Sequence, residues 1–185
     1  MTEYEQLVHL IATRSARRGQ FTLASGRQST LYIDARLTTM SPEGLVLIGS
    51  LGISEIRRSW KADSVGGLTL GADPISYAIS YASASTDMPL RAFTVRKEAK
   101  THGTGKLIEG PFKSGDRTIV IEDVITTGGS ALKAVAAVQN AGGTVSAVLA
   151  LVDREEGGRE AIETAGIPVI SMVRAQDILP LIDTK

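Results

Sequence analysis

The sequence predicts an α/β fold, a central parallel sheet flanked by helices, on the strength of three features. After Trp60, short apolar runs recur at 65–70, 90–95, 118–124, 145–152 and 169–173. Between them lie stretches with helical spacing, at 75–84, 131–140 and 162–165. The run Ile119-Val120-Ile121 is apolar on both faces, as a central strand covered by helices on each side should be. Strands that alternate with helices build parallel βαβ units.

The elements follow in order. Tyr4, Leu7, Val8 and Ile11 fall at i, i+3, i+4 and i+7 and predict an amphipathic helix, with Arg14, Arg17 and Arg18 gathered at its C-terminal end before Gly19. Residues 21–36 alternate around Ser25-Gly26 and predict a hairpin. Ser41-Pro42 opens a second helix that runs to about Arg58. Asp73-Pro74 has the form of an N-cap followed by a first-turn proline. Residues 96–110 form a polar, glycine-bearing loop, and Gly142-Gly143 closes the helix over 131–140.

A chain of 185 residues with 43% hydrophobic residues can bury one ordinary core, so a single domain over 1–185 is expected. Basic and acidic residues balance at 20 each, which leaves no overall field to draw nucleic acid or an anionic membrane. The chain has no cysteine, which excludes disulfides, thiolate catalysis and Cys-ligated zinc and suits a reducing cytoplasm. The N-terminus lacks the basic start and apolar run of a signal peptide, and no stretch approaches the roughly 20 apolar residues of a membrane span. A soluble intracellular protein is the expectation.

The most informative stretch is IVIEDVITTGGS, Ile119 to Ser130. Ligands of open parallel sheets bind beyond the carboxyl ends of the strands, and Glu122 and Asp123 sit near such an end. Adjacent acids there are costly to bury alone and call for cations, Mg²⁺ or hydroxyl donors. Val124 and Ile125 lead on to Thr126, Thr127, Gly128, Gly129 and Ser130, whose small residues let several N–H groups converge at the start of the next helix. A phosphate is favoured at that point. Acids that can hold diol hydroxyls or a hydrated metal beside a monophosphate cradle suit a ribose 5-phosphate. Rival phosphate motifs are absent: no G-x-G-x-x-G follows a strand, and Gly103-Thr104-Gly105-Lys106 lacks the upstream glycine and following hydroxyl residue of a Walker A loop.

Two further segments carry charge. Residues 96–106 hold Arg96, Lys97, Lys100 and Lys106 against the single acid Glu98, with His102 among them and glycines at 103 and 105. On residues alone this is either a solvated basic loop or a mobile lid. Arg154, in Asp153-Arg154-Glu155-Glu156, offers a planar fork for a carboxylate, and an ordinary ion-pair network is the simpler reading. Tyr32 could stack on a ring or serve the core, and Phe21 is expected in the core.

With VIEDVITTGGS the sequence resembles the type I phosphoribosyltransferases. FTLASGRQSTLYID, RKEAKTHGTGKLIEG and DREEGGRE, in that order, make it similar to the orotate phosphoribosyltransferases among them. The resemblance implies the type I fold with a small hood, mainly from about 1–40 plus the C-terminal segment, a homodimer, Mg²⁺, and conversion of orotate and 5-phosphoribosyl pyrophosphate (PRPP) to orotidine 5′-monophosphate and pyrophosphate. It implies that Arg96, Lys97, Lys100 and His102 engage the pyrophosphate, with part of the loop reaching a neighbouring subunit's site. Residues 122–130 would hold the ribose 5-phosphate, Thr126 and Arg154 would contact orotate, and Lys100, His102 and Asp123 form the catalytic group. Mg²⁺ is expected on PRPP oxygens and water, without a dedicated protein cage. Some relatives carry lysine at the positions of Ala24 and Gly71, so contacts made by those lysines do not transfer. A phosphoribosyltransferase for another base and a non-catalytic PRPP-binding regulator remain the alternatives.

Overall fold

The computed structural model describes residues 1–22, 28–98 and 106–182. Helix α1 (Glu3–Leu10) begins in a capping box, with the Thr2 hydroxyl accepting from the Glu5 N–H and the Glu5 carboxylate accepting from the Thr2 N–H. A single π turn, Ile11–Ser15, follows. The chain then enters the hairpin β1 (Ala16–Thr22) and β2 (Gln28–Ile33). Arg17 and Arg18 therefore belong to a strand and not to the expected helix end, because Ala16 already pairs with Ile33. A short helix α2 (Arg36–Thr39) precedes α3 (Pro42–Ser59), whose N-cap Ser41 accepts from the Gly44 N–H.

The remaining elements are β3 (Ser64–Leu68), α4 (Ala72–Ser83), β4 (Arg91–Val95), β5 (Ile108–Glu109), β6 (Arg117–Ile125), α5 (Gly129–Asn140), β7 (Thr144–Asp153), α6 (Gly158–Thr164), β8 (Val169–Arg174) and α7 (Ala175–Ile178). One six-stranded sheet has the order β5-β4-β3-β6-β7-β8. All its pairs are parallel except β4 with β5, a two-residue antiparallel strand inside what the sequence presents as a plain loop. β5 covers the edge that β4 would otherwise leave open.

Both sheet faces are buried, and the pleat sorts them. Ile119, Ile121, Leu149 and Leu151 join a core with α1, α3 and α4, while Val120, Val148 and Ala150 join a second core under α5 and α6. No helix among the described residues is long and apolar enough to cross a membrane.

An ion pair ties together the amino ends of the neighbouring central strands β3 and β6. Asp63, just before β3, accepts from the Arg117 backbone N–H and Nε with Oδ2, at 2.9 and 3.0 Å, and from Nη2 with Oδ1 at 3.0 Å. Hydrogen bonding to Arg117 holds the Asp63 carboxyl at about 2. A lowered carboxylate stabilises the fold above its ordinary pKa of 3.8 and loses that contribution as pH falls towards about 2. Asp63→Ala should lower stability near neutral pH by about 1 kcal/mol, a modest figure because the pair is solvent-screened. In urea titrations the variant should also lose less stability than the parent between about pH 4 and pH 2; parallel losses would refute the assignment.

Candidate active site

The strands end at different heights on the carboxyl side of the sheet. The last rung between β3 and β6 is Gly67↔Ile121, whereas β6 runs on beside β7 to Ile125↔Asp153. From Glu122 onward the β3 side of β6 is open. Glu122 and Asp123 thus lie inside the strand, held by its β7 side, and not beyond its end. A cleft of about 350 Å³ opens there, bounded by Tyr32, Asp34 and Arg36, by Thr69 to Gly71, by Lys97, and by Glu122, Asp123 and Ser130.

Each wall has a local cause. The Asp34 carboxylate accepts from Arg36 Nε and Nη2 at 2.8 and 2.9 Å, and this pairing holds its pKa below the usual range. Tyr32 is partly exposed and packs on Phe21, with ring centroids 5.3 Å apart. Phe21 is half-buried in that pair and lies outside the core expected for it. The Asp123 carboxylate accepts from the Val124 N–H at 2.8 Å and lies close under Gly71. A Cβ at Gly71 would sit 2.3 Å from Asp123 Oδ2, so the missing side chain makes room for the carboxylate.

Ile125 is buried in the α5–α6 core. Thr126 and Thr127 then lead to Gly128, which adopts φ 79° at the start of α5. A side chain at Gly128 would meet both that left-handed backbone and the Gly158 carbonyl, 2.7 Å from its Cβ. Helix α5 begins at Gly129, two residues before the expected Ala131, so Gly129 and Ser130 fall in its first turn. First-turn N–H groups have no intrahelical acceptor and suit a phosphate.

Of the cationic loop, Lys97 reaches the cleft. Arg96 does not: its Nε donates to the Glu98 carbonyl at 3.4 Å and its Nη1 lies 3.7 Å from Glu109. Its backbone N–H donates to the Leu107 carbonyl at 2.8 Å, which closes the base of the loop. Lys106 lines a different cavity. Lys100, His102 and Ala24 lie outside the described residues. Arg154 is 6% exposed. Its Nη2 donates to Ser29 Oγ, to the Leu31 carbonyl, and to Glu156 Oε1 at 2.7 Å, so the expected ion pair exists. Its Nε has no partner among the described residues.

Sequence reasoning missed Asp34, Arg36, Thr69 and Leu70. Asp34-Ala35-Arg36 carried a signal, an acid and a base just after a strand, but nothing in one sequence says that two distant strand exits share a cleft.

Burial pushes the Glu122 carboxyl well above its ordinary value, and the charge of Asp123 and a hydrogen bond to it push the same way. A raised acid contributes its full stability below the unfolded value of 4.5 and loses it as pH rises through the folded value. Glu122→Gln cannot ionise. Its Tm should therefore gain on that of the parent as pH climbs above 4.5 in ligand-free protein, and a constant difference would contradict the burial effect.

No protein-family model matches the chain. The orotate phosphoribosyltransferase of Aquifex aeolicus (strain VF5) is 47% identical to it over 182 residues, 97% of this chain and 99% of that protein. The crystal structure of Mycobacterium tuberculosis H37Rv orotate phosphoribosyltransferase in complex with Fe(III) dicitrate superposes with a TM-score of 0.83 at 43% identity, covering 96% of this chain and 99% of that one. The same enzyme in complex with PRPP gives 0.79 at 41% identity, with 96% and 99% covered. The fold is that of the type I phosphoribosyltransferases. With this identity along nearly the whole of both chains, the chain belongs to the orotate phosphoribosyltransferase family.

Proposed function

We propose that the cleft over Glu122 and Asp123 joins the 5-phosphoribosyl group of PRPP to orotate, giving orotidine 5′-monophosphate and pyrophosphate in pyrimidine nucleotide synthesis. The observation that carries this reading is that one cleft gathers the acidic pair, the first turn of α5 at Ser130, and Lys97. In the reaction a ring N–H nitrogen of orotate gives up its proton to solvent and bonds to the anomeric carbon of the ribose as the bond from that carbon to pyrophosphate breaks. The electron pair departs with pyrophosphate.

Residues 124–130 cradle the 5-phosphate, and Glu122 and Asp123 hold the ribose hydroxyls. Lys97, with Arg96, Lys100 and His102 once the loop closes, meets the charge growing on pyrophosphate. A fixed cation in a water-excluded site can contribute about 3 kcal/mol to such a step. The site also suits Mg²⁺, because two adjacent carboxylates supply hard oxygens at one wall of the cleft. That donor set fits an ion held mainly by diphosphate and water, where it would neutralise phosphate charge.

Thr126 and Arg154 are assigned to orotate. The Arg154 backbone N–H donates to the Ile125 carbonyl at 3.1 Å, which sets it beside Thr126, and its Nε is buried without a partner among the described residues. Residues 1–185 act as a single catalytic domain, with 1–40 and the C-terminal segment as its hood. We place it in the cytoplasm as a homodimer whose loop 96–110 reaches the neighbouring site. Val46, Tyr77 and Tyr81, exposed at 70%, 52% and 86% on α3 and α4, offer an apolar face for a second copy.

The deciding assay mixes protein, PRPP, Mg²⁺ and orotate, follows loss of orotate absorbance, and repeats with purine bases; no turnover of orotate would refute the reading. Lys100→Ala should depress kcat far more than it raises the KM for PRPP, while Arg154→Ala should raise the KM for orotate. The φ of −61° at Gly71 suits alanine, so Gly71→Ala tests only the space above Asp123. It should raise the KM for PRPP by about tenfold and leave that for orotate nearly unchanged; an unaltered PRPP KM would show that Asp123 can move aside without loss.

A further inference from the structure

We propose that Asp73 is a positioning residue, a buried carboxylate that ties the exit of β3 to the exit of β4 and so holds the PRPP side of the cleft in shape. This rests on the assignment of the cleft to PRPP.

The sequence suggests an N-cap at Asp73, but Gly71 occupies that place and Asp73 lies within the first turn of α4. An acid there would favour the helix dipole even if exposed and unpaired. Asp73 is instead 7% exposed and turned back towards the sheet. Its Oδ2 accepts from the Thr69 hydroxyl at 2.6 Å and its Oδ1 from the Thr94 hydroxyl at 2.8 Å. Tyr77, one turn along α4, has its hydroxyl 3.0 Å from Thr94 Oγ1. Thr94 gives its proton to Asp73, so Tyr77 is the donor in that contact.

Both hydroxyls stand where the cleft needs support. Thr69 follows the last residue of β3, and its backbone N–H donates to the Val95 carbonyl at 2.8 Å, one step beyond the Leu68↔Val95 rung. Thr69, Leu70 and Gly71 then form one wall of the cleft, the wall that touches Asp123. Thr94 lies near the end of β4, three residues before Lys97 on the same wall. One carboxylate therefore fixes the height of the 69–71 loop and the point from which the cationic segment departs. A charged acceptor shared by two hydroxyls is short and directional, which suits it to holding geometry. Asp73 itself does not line the cleft.

The test measures PRPP binding with Mg²⁺ by calorimetry, with no base present, for the parent, Asp73→Ala, Asp73→Asn, Thr69→Val and Thr94→Val. Asp73→Ala and Thr69→Val should weaken PRPP by about tenfold or more, and Asp73→Asn, which can still accept one hydroxyl, should recover part of that loss. In turnover assays the KM for PRPP should rise while the KM for orotate stays within about twofold. A merely structural role would lower Tm and leave that split and the asparagine rescue unseen. If Asp73→Ala does not fold, the two threonine variants decide. Folded variants that bind PRPP within about twofold of the parent overturn the clamp alone. A parent protein that binds no PRPP overturns the proposed function, and the clamp with it.

Discussion

The site depends on one unequal pairing. β6 is hydrogen-bonded to β7 as far as Ile125↔Asp153 but to β3 only as far as Gly67↔Ile121. Up to Ile121 the strand is buried in both cores. Beyond it, one side stays paired with β7 while the other opens, so two acids border a cleft from a strand that is still hydrogen-bonded. Were β3 two residues longer, its own backbone would occupy the space where Glu122 and Asp123 meet Gly71. The cleft at the carboxyl ends of these parallel strands thus has a concrete cause, a difference in pairing length on the two sides of β6.

That placement has an electrostatic consequence. Burial raises the Glu122 pKa first of all, and the neighbouring Asp123 charge adds to that shift. The compensation available from the protein is limited: Lys97 faces the cleft, while Arg36 is already paired with Asp34 and Arg96 with Glu109. A ligand bringing hydroxyl donors and a divalent cation would supply what is missing. The acidic pair is therefore a poor stabilising element of the ligand-free fold.

Much of the sheet was legible in the sequence because its strands are short, apolar and separated by helices of matching spacing. The β6-loop-α5 motif was legible too, since an acidic pair, small residues and a helix start are consecutive. Less legible were features set by distant partners. Arg17 and Arg18 looked like a helix terminus because their strand identity comes from pairing with β2. β5 was invisible as a two-residue strand whose only reason is the exposed edge of β4. Asp73-Pro74 looked like a capping pair because nothing local reveals that Thr69 and Thr94 converge on the carboxylate. Tertiary contact overrode the local signal in each case.

Arg154 shows how two readings of one residue can be compatible. The residues alone favoured an ion pair, and the guanidinium does pair with Glu156. Yet the acceptors Ser29, Leu31 and Glu156 all crowd onto Nη2, while Nε is buried without a partner among the described residues. A guanidinium has five N–H donors in a fixed plane, so engaging one nitrogen orients the rest. Glu156 and the β2 backbone then act as the mount, and a planar carboxylate is the kind of acceptor that the remaining donors can satisfy.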